Sequence, residues 1–271
     1  MDEQQPWQWD ESVWRGHVEH VRAGRRLVHD DPAQRWPSGA RVAVLLSFDS
    51  DHESIPLRDG ETSPGRMAQG EFGARFAVPR ILDLLARHEA PSSFYMPAVC
   101  ALLRPDEAPS YVAGGHEVAV HGWIHERNTA LGHDDELELV SRCLDVFERQ
   151  IGHRPTGIRT PSWDFSGSTL AVIRELGFAY DSSLMADADP YELLEHGERT
   201  GVVEIPVEWI RDDAPVSDDG PLRRSPPAHA APQPAADLDR RVRCGARGGR
   251  GLPADHAPAH HRAPFPPTDP R

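Results

Sequence analysis

The stretch RVAVLLSFDSDHES, residues 41–54, decides how the rest of the chain is interpreted. Residues 41–48 form a short, almost unbroken apolar run, which predicts a strand buried in a parallel sheet. Asp49 and Asp51 follow at the carboxyl end of this predicted strand. With this spacing, one carboxylate can bind a metal ion while the other remains free to act as a base.

The stretch HGWIHERN, residues 121–128, places two imidazoles at the end of another predicted strand, 116–122. His121 and His125 are four residues apart. Neutral imidazoles together with a carboxylate suit a divalent metal that keeps positions open for water and substrate. The pattern therefore predicts that both histidines and one aspartate converge on one metal ion.

Strands alternate with helices along the chain, which predicts βα units and a parallel sheet. Ligands of such sheets bind at the carboxyl ends of the strands, where the aspartates, the histidines and Arg159 all fall. Residues 52–70 are predicted to form a loop over that end. The other predicted strands are 92–97, 157–161, 178–183 and 202–209, and the predicted helices are 79–89, 134–151 and 170–176.

Each of these features has an ordinary structural explanation when it stands alone. An H-x-x-x-H pair is commonly a coincidence in a chain with 15 histidines, and D-x-D after a strand commonly shapes a loop or caps a helix. Arg159 alone would be a surface or salt-bridging arginine, and Trp163 and Trp209 would be core residues. Their occurrence at successive strand ends of one α/β pattern favours a single functional site.

The composition restricts the classes of partner and location. The chain has 271 residues and a formal net charge of −14, so we expect no nucleic-acid partner and no membrane partner. An apolar leader and a spanning segment of about 18 apolar residues are both lacking, which favours the cytoplasm. The cysteines are too few and too scattered for a disulfide framework and are expected to be reduced: Cys100, Cys143 and Cys244.

Four ordered motifs resemble those of the polysaccharide deacetylase superfamily: SFDSDHE (47–53), HGWIHE (121–126), RTPSW (159–163) and YDSS (180–183). They are closer to its subgroup with D-x-D in the first motif, which includes peptidoglycan-deacetylase-like and allantoinase-like proteins, than to the T-F-D-D form. The resemblance covers residues 40–217. It implies an α/β fold of the distorted (β/α)7 barrel type and metal-dependent hydrolysis of a non-peptide C–N bond.

The resemblance also implies a role for each matching residue. Asp49 is the implied catalytic base, and Arg159 would keep it ionised and oriented, because a nearby positive charge lowers a carboxyl pKa. The implied ligands of a divalent metal ion, zinc by expectation, are Asp51, His121 and His125. The implied substrate-binding residues are Glu126, Pro161 and Trp163.

The composition changes sharply near residue 218. Residues 218–271 contain only five residues of the Val/Ile/Leu/Met/Phe/Trp/Tyr set, which predicts a disordered or loosely attached tail. The L-x-H-type histidine, which the resemblance implies as the acid for the leaving amine, has no counterpart, so the barrel is expected to be incomplete at its carboxyl end. A reading-frame change near 217–222 in a GC-rich gene would produce such a tail. We therefore give no role to its histidines, His256, His260 and His261.

These observations divide the chain into a lead-in at 1–40, a catalytic barrel at 41–217 and the tail. The leading hypothesis is a metal-dependent amidohydrolase that deacetylates an N-acetylated sugar or a small amide. An enzyme that opens a cyclic ureide or imide is the alternative, since these motifs do not set the size of the pocket. A catalytically impaired, metal-binding truncated product is a hypothesis of a different class. The expected partner is a small-molecule or carbohydrate substrate, and a homo-oligomer is compatible with the sequence.

Overall fold

The computed structural model describes residues 5–208 and 211–212, and a mixed sheet of eight strands organises this part of the chain. The strand order is β1-β7-β8-β6-β5-β4-β3-β2. The strands are β1 Val21–Arg26, β2 Ser47–Asp49, β3 Ser93–Met96, β4 Glu117–Val120, β5 Gly157–Ile158, β6 Tyr180–Asp181, β7 Tyr191–Glu195 and β8 Glu198–Glu204.

Helices follow most of the parallel strands, and a π-helical segment, Gly73–Ala77, joins two of them into one long helical stretch. The helices are α1 Glu11–His20, α2 Ser54–Arg58, α3 Pro64–Phe72, α4 Val78–Arg87, α5 Ala98–Leu103, α6 Glu107–Ala113, α7 His133–Ile151 and α8 Thr169–Glu175. Short 3-10 turns lie at Pro6–Gln8, Pro37–Gly39, Asn128–Ala130 and Pro161–Trp163.

The parallel part of the sheet runs from β2 through β3, β4, β5 and β6 to β8, so the carboxyl ends of these strands share one edge. The hairpin strand β7 runs antiparallel to both β8 and β1. The sheet is not closed, because β1 and β2 are its two outer strands. The predicted α/β fold class is therefore confirmed. The sheet has two free edges, whereas the sheet of a closed barrel has no edge.

The core lies between the middle strands and the long helix α7. Phe94 and Val118 are buried on β3 and β4, and Val140, Leu144 and Phe147 are buried on α7 at spacings of three and four. The helix ends where Gly152 adopts a left-handed conformation with φ of 81°, which favours glycine. The predicted strands 92–97 and 116–122 and the predicted helices 79–89, 134–151 and 170–176 are confirmed as β3, β4, α4, α7 and α8.

The prediction of a buried strand over 41–48 is wrong for most of its length. Only Ser47–Asp49 pair, and they pair with β3 alone. Val42, Val44 and Leu45 are 68%, 74% and 61% exposed. Burial of this run requires a neighbour on the second side of β2, and none of the described strands occupies that side.

The prediction of a loop over 52–70 is also wrong, because α2 and α3 occupy much of it. Pro64 stands in the first turn of α3, where its missing N–H costs nothing. Pattern analysis missed α5, α6 and β7. The strands predicted at 157–161, 178–183 and 202–209 are shorter or displaced, as β5, β6 and β8.

The first 40 residues contribute to the sheet, since β1 pairs with β7 in the register Val21↔Glu195. Cys100 and Cys143 are buried and free, as expected, and burial raises the pKa of Cys100 to about 12. None of the described helices combines the length and apolarity needed to cross a bilayer. The predicted tail at 218–271 lies outside the described residues, and the cytoplasmic location and the partner classes stay predictions.

Candidate metal centre

Three predicted ligands converge at the shared edge of the parallel strands. Asp51, His121 and His125 offer ligand atoms that all lie within 4.8 Å of one another. Nε2 of His121 is 3.4 Å from Oδ1 of Asp51, and Nε2 of His125 is 3.5 Å from Oδ2 of the same carboxylate. Oδ1 of Asp51 is enclosed and has no hydrogen-bond partner. An enclosed, unpartnered carboxylate oxygen between two imidazole nitrogens fits a divalent cation.

His121 is held with one nitrogen turned towards this cluster. It follows β4, is fully buried, and its Nδ1 lies 2.9 Å from the carbonyl oxygen of Arg159. Since a carbonyl can only accept, Nδ1 carries the proton and Nε2 keeps its lone pair for a metal. Burial, opposed by the charges of Asp49 and Asp51, lowers the pKa of His121, which favours the neutral ligand form.

His125 comes from a tight turn that follows β4. Its φ of 62° is left-handed, and Gly122 begins the turn with φ of 74°. The carboxylate of Glu126 accepts hydrogen bonds from the backbone N–H groups of Trp123 and Ile124 and thereby fixes the turn. The backbone conformation of HGWIHE therefore aims the second imidazole at Asp51.

Arg58 of α2 contacts His125 from the outside. Its Nη1 lies 3.1 Å from Nδ1 of His125 and 3.2 Å from the His125 carbonyl oxygen. Asp59 pairs with the same guanidinium group at 2.9 Å. Sequence analysis placed Arg58 in a loop and missed this contact, because no spacing rule links it to residue 125.

Asp51 is held by groups around its own turn. Its carbonyl oxygen accepts from Sγ of Cys100 at 3.0 Å and from the N–H of Ser54 at 2.8 Å. Burial by itself would raise the pKa of Asp51, but the hydrogen bond to His125 and the charges of His121 and His125 lower it to about 2. The group is therefore a carboxylate, which is the form that binds a metal.

Asp49 lies beside the cluster and is paired with Arg159. Nη1 of Arg159 donates to Oδ1 of Asp49 at 2.6 Å, while Oδ2 of Asp49 lies 3.8 Å from Nε2 of His121. Arg159 is buried, and its guanidinium group lies over the ring of Tyr95 at 3.9 Å. The arginine thus holds one carboxylate oxygen and leaves the other on the side of the cluster.

Two oxygen atoms of Ser182, in the YDSS motif, also accept hydrogen bonds from Arg159. Nε donates to the carbonyl oxygen of Ser182 at 2.9 Å, and Nη2 donates to the Ser182 hydroxyl at 2.9 Å. Ser47 accepts from Nη2 as well, at 3.1 Å. Sequence analysis recognised YDSS as a motif but gave Ser182 no role, although the motif was the signal that could have identified it.

The three predicted substrate-binding residues lie close to the turn that presents His125. Pro161 is buried, and a Cβ on Gly122 would lie 2.7 Å from its Cγ. Trp163 is half-buried and, with φ of 56°, is part of a left-handed 3-10 turn after β5. Both carboxylate oxygens of Glu126 accept hydrogen bonds from the backbone N–H of Trp123. A substrate contact of these residues stays a prediction.

Comparison with known proteins identifies relatives of this chain. The sequence profile of the polysaccharide deacetylase family matches residues 67–180, which include both histidines and Arg159 but neither aspartate. A peptidoglycan deacetylase from Helicobacter pylori is 30% identical over 198 residues, which are 64% of this chain and 68% of that protein. The chain spans 59% of the length of another curated relative.

Solved structures show the same fold. A Mycobacterium smegmatis protein assigned to the polysaccharide deacetylases is 32% identical, with a TM-score of 0.66 over 78% of this chain and 74% of that one. Puue allantoinase is 20% identical, with a TM-score of 0.65 over 80% of this chain and 74% of that one. Both belong to proteins with a (β/α)7 barrel, of which the described strands form an open version.

Proposed function

Because this chain belongs to the polysaccharide deacetylase family, we propose that it hydrolyses the acetamido C–N bond of an N-acetylated sugar and releases acetate. The observation that supports this most is the Arg159–Asp49 pair beside the cluster of Asp51, His121 and His125. A base with one held oxygen next to a cation site is what water-driven amide hydrolysis requires.

Asp51, His121 and His125 would hold a divalent metal, and zinc suits two imidazoles and one carboxylate. When bound there, such an ion supplies Lewis-acid polarisation of the amide carbonyl. The protein's own contribution is a prearranged set of ligands, because His121 is oriented by the carbonyl oxygen of Arg159, directly after β5, and His125 by its turn.

Asp49 would take the proton from the attacking water. Its Oδ2 is the oxygen on the side of the cluster, and the ion pair through Oδ1 holds the carboxylate in that orientation. Arg159 is thus a positioning residue: it acts on the water only through Asp49. The water oxygen bonds to the acetamido carbon, and the proton held by Asp49 passes to the nitrogen as the carbon–nitrogen bond breaks, which gives acetate and the amine of the sugar.

The test measures acetate release from N-acetylglucosamine oligomers and from peptidoglycan fragments, together with bound metal per chain. Asp49→Asn should retain the metal and reduce turnover by about 10²–10⁴-fold, the usual contribution of a general base. Asp83→Asn, on the exposed face of α4, is the matched control and should do neither.

Three outcomes would contradict this proposal in different ways. Near-normal turnover of Asp49→Asn would mean that another group is the base. Ring opening of a cyclic ureide without acetate release would favour the alternative substrate class. Stoichiometric metal binding without hydrolysis of any of these substrates would favour a metal-binding protein that has lost catalysis.

A further inference from the structure

Two acidic side chains are fully buried outside the cluster of Asp51, His121 and His125. Asp181, at the end of β6, and Glu204, at the end of β8, are both 0% exposed, and they are register partners across the β6–β8 pair. Oε1 of Glu204 accepts the N–H of Leu184 at 2.9 Å. Oε2 of Glu204 is enclosed and has no donor.

Two carboxylates cannot donate to each other, so a buried pair of this kind requires one proton. A proton on Glu204 gives Oε2 a partner in Asp181 and removes one of two adjacent buried charges. Burial, then the charge of Asp181 and a hydrogen bond to it, raise the pKa of Glu204 well above its usual value. Burial also raises the pKa of Asp181.

The pair is connected to Arg159 through the two serines between them. Asp181 accepts from the hydroxyl and the N–H of Ser183, at 2.7 and 3.1 Å. The Ser183 hydroxyl in turn accepts the N–H of Thr160, the residue after Arg159, at 2.9 Å. Ser182, between these two residues, supplies the carbonyl and hydroxyl oxygens that hold Arg159.

We infer that Asp181 and Glu204 form a carboxyl pair sharing one proton, and that this pair positions Arg159 and, through it, Asp49. The hydrogen bonds of Ser183 to Asp181 fix the backbone of residues 181–183, and Ser182 in this segment holds the guanidinium group of Arg159. The effect on catalysis rests on the proposed role of Asp49, but the positioning of Arg159 does not.

The sharing of one proton also matters for charge. Within the part of the chain that the structure describes, Arg159 and Tyr191 of β7 are charged or titratable groups that face the pair, and the Tyr191 hydroxyl accepts the N–H of Ala186 at 3.3 Å. With one negative charge on the pair, Arg159 still has Asp49 as its short ion-pair partner. If Asp181 and Glu204 were both ionised, their two negative charges would draw the guanidinium group of Arg159 away from Asp49.

The test compares Glu204→Gln with Glu204→Ala. The amide of glutamine can donate to Asp181 and accept from Leu184, so this variant should keep turnover within about twofold near neutral pH. Glu204→Ala leaves Asp181 without that donor, and kcat should fall about tenfold, the scale of losing an outer partner of a site residue. KM should stay unchanged, because the pair acts on the site only through Arg159, so the loss should appear in kcat alone.

Glu192 provides the matched control on the same hairpin. It is a buried strand glutamate whose carboxylate pairs with Arg199 at 2.8 Å and with Arg25 at 3.6 Å. Glu192→Ala should lower the melting temperature without lowering kcat. An equal loss of kcat in Glu192→Ala and Glu204→Ala would overturn the inference, because general loosening would then explain both.

A readout without catalysis separates this inference from the proposed function. The infrared spectrum should contain a protonated-carboxyl band that Glu204→Gln removes. In arginine-labelled protein, hydrogen exchange at Nε of Arg159, assigned with Arg159→Lys, should be at least about tenfold faster in Glu204→Ala than in Glu204→Gln. An unchanged infrared band or equal exchange rates would refute the inference even if acetate is never released.

Discussion

β4 and β2 both deliver residues to the same site, yet their surroundings differ completely. β4 lies between β3 and β5, its Val118 and Val120 are buried, and His121 follows it directly. β2 pairs with β3 alone, and the run before it includes Val44, which is 74% exposed. The histidine side of the site therefore rests on the core, and the aspartate side rests on an outer strand.

The difference teaches that the aspartates must be fixed by local contacts. The turn after β2 is tied to its neighbours by Ser50, whose N–H donates to the carbonyl of Tyr95 at 2.7 Å, and by the bond from Cys100 to Asp51. Arg159 reaches across from the end of β5 to hold Asp49. An outer strand can therefore present a carboxylate to the site when residues of the inner strands hold it.

The largest expected effect is on the supported side of the comparison. His121→Ala should reduce metal affinity by more than the roughly 10–100-fold that loss of an outer partner costs, because a ligand itself is removed. Elemental analysis after dialysis and competition with a chelator would measure this. His153→Ala, at an exposed position after α7, is the control. Full metal content in both His121→Ala and His125→Ala would show that these histidines do not bind the metal.

The next effect tests how the aspartate turn is packed. A Cβ on Gly70 of α3 would lie 2.3 Å from the carbonyl atoms of His52, the residue directly after Asp51. It would also lie 2.5 Å from the backbone N of Glu53. Backbone cannot rotate away, so Gly70→Ala should cost about 1–3 kcal/mol in unfolding free energy and weaken metal binding.

Gly65→Ala on the same helix is its control, since only Ser63 Oγ lies near, at 3.7 Å. This substitution should be neutral or stabilise the helix by up to about 1 kcal/mol. Equal stabilities of the two variants would show that α3 does not support the aspartate turn.

A smaller effect concerns pH. Because the folded pKa of Glu204 is raised, the folded state binds one more proton than the unfolded state above the ordinary glutamate pKa. The unfolding free energy should therefore fall as pH rises towards the folded pKa, by at most about 1.4 kcal/mol per pH unit. Urea unfolding between about pH 5 and 8 should show this slope in the native chain and a flatter one in Glu204→Gln. Parallel slopes would contradict the prediction.

The smallest effect is expected on the outer strand. Val44→Arg changes an exposed side chain, so the unfolding free energy should move by no more than about 0.5 kcal/mol. Self-association, measured by light scattering, should decrease, because an apolar unpaired edge invites pairing between chains. Val118→Arg on β4 should instead prevent folding. A severe loss of stability in Val44→Arg would show that this run is buried after all.

The sequence predicted the supported parts of the molecule well. The periodicity of α7 and the apolar runs of β3 and β4 reflect burial on a complete core. The position of His121 and His125 at a strand end of the α/β pattern predicted their convergence with Asp51. The same apolar signal wrongly predicted a buried strand at 41–46. An apolar composition indicates that a segment is suited to burial, but it does not indicate whether a neighbouring strand is present to cover it.

The contacts that support the site residues were beyond prediction for a related reason. Arg58, Ser182 and Glu204 lie far along the chain from the groups that they hold, and no periodicity or spacing connects them. The charge state of the Asp181 and Glu204 pair depends on enclosure, which only the packed structure provides.

Position 159 serves the site twice, once through its main chain and once through its side chain. Its carbonyl oxygen orients His121, and its guanidinium group orients Asp49. A point mutation can delete the second contact but cannot delete the first. Under the proposed function, one codon change at this position would remove the partner of the base and leave the cation site whole. Descendants of such a gene would keep the metal after losing hydrolysis, so retained metal would be a poor marker of retained catalysis.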